Sequence, residues 1–258
     1  MIDLTDILSA VSGVVVGFVL GLLGGGGSIL AVPLLLYVVG LRDTHIAIGT
    51  SAVAVAANAL IGLAGHARAG NVKWPCATVY AASGVVGAWI GSTIGKSIDG
   101  KALLGAFAIA MLAVGANTLW RKRQEGNPDV HLSMAIAGRL AGFGLLTGLA
   151  AGFFGIGGGF LIVPGLLAGA GMAMLNAIGS SLLSVAALGS TTATNYAVSG
   201  LVDWRIAAFF IVGGVLGSFL GIVLGKRLAS RKGLLSAIFG WVVIVVGLYV
   251  LEQAIFGG

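Results

Sequence analysis

The sequence predicts an all-α polytopic membrane protein built from two inverted structural repeats. Three observations carry that expectation. The 258 residues are 58% hydrophobic and only 9% charged, whereas soluble domains carry about 25% charged residues. Several apolar runs reach the roughly 20 residues needed to span a bilayer. The second half of the chain repeats the first.

The apolar segments lie near residues 7–40, 46–65, 74–95, 102–120, 138–170, 174–198, 204–225 and 233–256. One strongly polar stretch, Arg121 to Asp129, separates the fourth from the fifth. This divides the chain into a first membrane repeat (1–120), a basic cytoplasmic linker (121–137) and a second membrane repeat (138–258).

The first segment carries Gly24-Gly25-Gly26-Gly27-Ser28 inside an apolar run that ends at Pro33, and the fifth carries Gly155-Ile156-Gly157-Gly158-Gly159 before Pro164. Each glycine costs a helix about 1 kcal/mol relative to alanine, so both runs should unwind. Pro33 and Pro164 are 131 residues apart. Gly49-Thr50-Ser51 matches Gly179-Ser180-Ser181, and Gly70 to Trp74 matches Gly200 to Trp204, both at an offset of 130. Gly87, Gly91 and Gly95 match Gly217, Gly221 and Gly225 at the same offset; their four-residue spacing puts each run on one helix face, as close helix packing requires.

Segments 7–40 and 138–170 are too long to cross once as continuous helices: about 33 residues of helix span about 50 Å against a hydrocarbon core of about 30 Å. Charge decides between an unwound single crossing and a turn back. If both turn back, ten basic residues (Arg68, Lys73, Arg121, Lys122, Arg123, Arg139, Lys226, Arg227, Arg231, Lys232) face four (Arg42, Lys96, Lys101, Arg205). A single crossing divides them seven to seven, against the positive-inside bias. Turning back makes the crossings per half odd, which inverts the second repeat. The glycine-broken first segment of each repeat, re-entrant or hairpin, is then followed by three transmembrane helices. Both termini are expected on the non-cytoplasmic side. Asp3 and Asp6, with no basic residue before them, argue against a cleaved signal peptide.

Unwound backbone survives in a membrane only inside protein or beside a cavity. Where helix resumes, near Ser28 and Phe160, free N–H groups and a partial positive charge would suit an anion. Gly24, Gly25, Gly26, Gly27, Ser28, Gly155, Gly157, Gly158 and Gly159 are therefore candidate substrate-binding residues. Thr50, Ser51, Ser180 and Ser181 join them, because hydroxyls donate hydrogen bonds without burying charge. The competing reading is tight packing for the glycines, and helix caps or bonds back to the helix for the hydroxyls. Asn58, Thr191, Thr192 and Asn195 are candidate path-lining residues, with interhelical hydrogen bonding as the alternative.

No acidic or basic residue falls clearly within the middle of a segment, which disfavours cation transport, carboxylate proton pumping and membrane hydrolysis. One cysteine, Cys76, and three histidines without ligand spacing point to no metal and no cofactor. No catalytic residues are assigned. The net charge of +6 reads as topogenic, and no basic face suggests nucleic acid.

With Gly21 to Pro33, its echo Gly152 to Pro164, and the paired Gly-Thr-Ser and Gly-Ser-Ser motifs, the chain resembles the TauE/SafE family of sulfite and organosulfonate exporters across roughly 10–250. The resemblance implies a multi-pass inner-membrane transporter of small sulfur-containing anions. The expected function is secondary transport, in the export direction, of sulfite or an organosulfonate by alternating access around a midplane site between the repeats. An anion channel and a non-transporting assembly or enzyme subunit are the alternatives. The expected partners are the small anion and the lipid bilayer, and a homodimer is compatible with the sequence.

Overall fold

The computed structural model describes residues 3–120, 126–155, 159–227 and 232–256. Residues 121–125 of the linker, and Gly157 and Gly158 of the second glycine motif, lie outside these. Helix α1 (Leu4–Leu23) starts on a capping box in which the Asp3 backbone N–H donates to Asp6 Oδ2 at 2.8 Å. It ends where Gly24 takes φ 72° and ψ −145°, and a 3₁₀ segment (Gly24–Leu30) leads into α2 (Ala31–Tyr37). Then come α3 (Thr44–Arg68), α4 (Trp74–Lys96) and α5 (Gly100–Trp120). The second half repeats the order: α6 (Met134–Phe154), a break at Gly155, α7 (Gly159–Ala170), α8 (Met174–Val198), α9 (Trp204–Arg227) and α10 (Lys232–Phe256).

Among the described residues, seven helices are long and apolar enough to cross a membrane: α1, α3, α4, α5, α6, α8 and most of α9. The chain is an all-α polytopic membrane protein. Its outward side chains fit a hydrocarbon surroundings; Trp89, Leu216, Phe219, Trp241 and Val245 are all exposed.

Glycines set the packing. Gly13, Gly17 and Gly21 of α1 press on the carbonyls of Phe210, Gly214 and Ser218 in α9. Gly144, Gly148 and Gly152 of α6 do the same to Tyr80, Gly84 and Ala88 of α4. The second set is the first displaced by 131 residues on one helix and 130 on the other. The runs at 87, 91 and 213, 217, 221 supply the reciprocal faces, against Leu145, Leu149, Ala10, Val14 and Phe18. Backbones this close allow Cα–H···O contacts and broad van der Waals contact, which hold helices together where no hydrophobic driving force acts between them.

The same contacts give helix directions. α1 and α9 run parallel, as do α4 and α6. Asn58 and Gly65 of α3 meet Gly214 and Ile222, so α3 also runs with α9. Gly84 meets Leu188 and Ser92 meets Asn195, so α8 runs with α4. The central pair α3 and α8 is antiparallel, because Gly62 lies on Leu182 while Gly189 lies on Ala52 and Ala56. α5 and α10 are antiparallel at the periphery, with Gly115 against Ile244 and Gly247 against Met111. Thus α1, α3 and α9 start at one end of the bundle, the upper end, and α4, α6 and α8 start at the lower end. Since α1 and α3 point the same way, the segment between them must return. Gly27 packs back on Leu20, and in the second half Gly169 packs back on Leu140 and Phe143.

Among the described residues, six glycines have positive φ: Gly24, Gly40, Gly70, Gly155, Gly171 and Gly200. They form three matched pairs at offsets of 131, 131 and 130. The duplication thus reaches single backbone torsions.

Candidate functional site

α-Helix resumes at Ala31 rather than near Ser28, because the chain first tightens into the 3₁₀ turn. In the second half the described helix α7 begins at Gly159. The 3₁₀ segment runs inward from Gly24 and contacts α7, so the two returning segments meet inside the bundle. Gly24, Gly26, Gly27 and Ser28 are buried, as are Gly155 and Gly159.

Each glycine break sits on the hydroxyl motif of the other half. A Cβ on Gly24 would lie 2.9 Å from Ile178 Cγ2 and 3.1 Å from Ser181 Oγ. Gly155 presses on Ile48, and the Gly155 carbonyl lies 3.4 Å from Ser51 Oγ. The two serine hydroxyls donate to Ile48 and Ile178 carbonyls within their own helices, both at 2.8 Å. Thr50 Oγ1 accepts from the Asp203 backbone N–H, and Ser180 Oγ accepts from that of Lys73, both at 2.9 Å. These hydroxyls therefore also tie α3 and α8 to the opposite half's loop. Sequence reading matched Lys73 with Asp203 but missed this bond; the shared offset of 130 with Thr50 and Ser180 was the available signal.

The two assemblies do not coincide. Gly62 lies opposite Leu182, so Ser181 sits across from residue 63, twelve residues from Ser51. At 1.5 Å per residue they are about 18 Å apart along the bundle. Thr50 and Ser51 lie toward the upper end, and Ser180 and Ser181 toward the lower.

The candidate path residues divide. Asn195 joins α8 to α4: its Nδ2 donates to Ser92 Oγ at 2.6 Å and Thr93 Oγ1 at 2.9 Å. Lys96 Nζ, a partner not foreseen from sequence, donates to Asn195 Oδ1 at 2.6 Å and to Ser199 Oγ at 2.8 Å. Thr191 Oγ1 donates to the Ala187 carbonyl in its own helix at 2.8 Å. Asn58, fully buried midway along α3 beside Gly214, has no hydrogen-bond partner for Nδ2 or Oδ1 among the described residues, and Thr192 Oγ1 is likewise unpartnered. Among the described residues, the buried polar groups include a single carboxylate, Asp6, held at the upper end by Arg205 at 2.7 Å. The unpartnered side-chain groups in the interior thus include a neutral carboxamide and a neutral hydroxyl, those of Asn58 and Thr192.

A multi-pass helical bundle with buried, glycine-broken segments belongs to the architecture of membrane transporters. The comparisons agree. The family model "Sulfite exporter TauE/SafE" matches residues 9–250, and the chain belongs to that family. A "Probable membrane transporter protein" of Xylella fastidiosa (strain 9a5c) is 51% identical over 244 residues, covering 94% of each chain. A probable membrane transporter protein of Methanocaldococcus jannaschii is 29% identical over 262 residues, 92% of this chain and 94% of that one. Bacillus subtilis YunE, also named a probable membrane transporter protein, is 22% identical over 97% of this chain and 98% of its own. No solved structure matches. The protein is a membrane transporter.

Proposed function

We propose that the protein is a secondary transporter that exports a small sulfur-containing anion, such as sulfite or an organosulfonate, across the bacterial-type inner membrane. Residues 1–120 and 138–258 act as inverted repeats joined by a cytoplasmic linker at 121–137. The lower end faces the cytoplasm, because the basic residues gather there, and both termini lie outside. The protein has no catalytic role in this reading.

The observation that supports it best is the reciprocal construction: each glycine break rests on the other half's hydroxyl motif, once at each end. Two like ends allow the bundle to exchange an outward-open for an inward-open arrangement, the logic of alternating access between repeats. The anion is held by neutral donors of both returning segments, Gly24 to Ser28 and Gly155 to Gly159, with Thr50, Ser51, Ser180 and Ser181 bounding the site toward the two ends. Asn58 and Thr192 line the path. An inside-negative potential drives anions outward at about 2.3 kcal/mol per charge per 100 mV.

Sulfite counterflow in proteoliposomes tests the reading. Saturable flux, accelerated by sulfite on the opposite side and reduced by Gly26→Leu and Ser181→Ala, is the expected result. Single-channel currents, or wild-type flux in both variants, would overturn it.

A further inference from the structure

We propose that the two mouths of the transporter are electrostatically unequal, and that Lys73 and Asp203 make them so: the lower mouth attracts the anion and the upper mouth repels it. This rests on the anion-transport reading and adds an inequality of apparent affinity between the two faces.

Two surface cavities occupy equivalent places at opposite ends of the bundle. The lower, about 230 Å³, lies between the start of α4 (Lys73, Trp74, Cys76) and the residues before α6 (Val130, His131). The upper, about 170 Å³, lies between the start of α9 (Asp203, Arg205) and the start of α1 (Asp3, Asp6). Lys73 and Asp203 are 130 residues apart, each next to the tryptophan that begins its helix. The glycines three residues before them share φ 71°. Backbone and position are thus matched, and the charge is reversed.

The rest of each lining widens the difference. No carboxylate lines the lower cavity, where Lys73 is joined by His131. Three carboxylates line the upper one, and its single guanidinium, Arg205, bonds Asp6 at 2.7 Å. Both charged residues are tied directly to the candidate site. The Lys73 N–H donates to Ser180 Oγ, and the Asp203 N–H donates to Thr50 Oγ1. Lys73 thus stands next to the Ser180 hydroxyl and Asp203 next to the Thr50 hydroxyl; Lys96, held by Asn195 and Ser199, adds one ammonium at the upper end against the three carboxylates of that cavity. Charges of one sign at a cleft raise the local concentration of the opposite ion and its rate of entry. The asymmetry suits loading at the lower mouth and release at the upper.

Asp203 also caps α9, since its Oδ1 accepts from the Ile206 N–H at 3.0 Å. Asp203→Asn separates the roles, because asparagine caps a helix as well as aspartate but carries no charge. The experiment measures sulfite counterflow from each face of protein reconstituted in one orientation, for wild type, Lys73→Gln and Asp203→Asn. Wild type should show a KM about fivefold lower at the lower mouth at low ionic strength, with the gap narrowing as salt rises. Lys73→Gln should raise the lower-mouth KM, and Asp203→Asn should reduce the upper-mouth KM, with kcat unchanged. Equal KM values at the two faces of wild type, or variants that alter kcat alone, overturn this inference while leaving the transporter reading intact. Absence of any sulfite flux in wild type overturns sulfite export itself, and the inequality with it.

Discussion

Replacing Gly24 by alanine tests the geometry at the first break. Gly24 has φ 72° and ψ −145°, a region that residues with a side chain enter at a cost of about 1–3 kcal/mol. The new methyl group would also lie 2.9 Å from Ile178 Cγ2 and 3.0 Å from the Ile178 carbonyl oxygen. Forcing atoms into a packed interior adds about 1–3 kcal/mol. The combined loss is about 2–6 kcal/mol. Gly40→Ala is the control: its φ is 86°, yet nothing lies within 4 Å of the added carbon, so only the backbone cost of about 1–2 kcal/mol remains. Thermal unfolding of purified protein should rank wild type first, Gly40→Ala next and Gly24→Ala last. Adding Ile178→Ala to Gly24→Ala should recover part of the loss, a coupling on the order of 1 kcal/mol. The carbonyl stays in place, so recovery is incomplete. If Gly24→Ala melts with Gly40→Ala, the break does not rest on α8 as described.

Three further outcomes are expected. Thr50→Val and Ser180→Ala each strip a backbone N–H of its acceptor, that of Asp203 or Lys73; each should cost about 1–3 kcal/mol, and hydrogen exchange should quicken at the orphaned amide alone. Asn58→Leu removes a buried carboxamide with no partner among the described residues and copies Leu188, its match in the second half; the melting temperature should rise while sulfite flux falls, and unchanged flux would remove Asn58 from the path. Gly148→Val drives a side chain into the Gly84 backbone, so α4 and α6 should separate and little folded protein should be recovered, whereas Gly142→Val, with nothing within 4 Å, should be tolerated.

The helices and the duplication were legible because both are periodic. Apolar runs of bilayer length announce spans, and an offset of 130 or 131 between Gly49 and Gly179, or Pro33 and Pro164, announces a repeat. The return of the glycine-broken segments was legible through charge, since Arg205 and Lys226 change sides with it. An offset identifies equivalent residues, however, and says nothing of which residues touch. That Gly24 lies on Ile178, and Gly155 on Ile48, depends on α3 and α8 crossing antiparallel at the centre. The hydroxyl motifs were expected at one midplane site and lie about 18 Å apart along the bundle, because each falls in the second turn of its helix and the helices start at opposite ends. For Asn195, path lining and interhelical hydrogen bonding were both open from the sequence; its partners Ser92, Thr93 and Lys96 all lie on α4, more than 90 residues away in sequence. No local pattern encodes such a meeting.

Because each glycine break is packed by the opposite half, neither half completes its own break. A chain of half this length could build the same pair only by meeting a copy of itself inserted upside down. In the proposed inverted-repeat arrangement, joining two such copies through a linker fixes one of each orientation in every molecule. It also frees the halves to diverge: Asn58 faces Leu188 across the match, His66 faces Tyr196, and Lys73 faces Asp203. A homodimer must change both of its ends at once. A fused chain can give its entrance and its exit different chemistry.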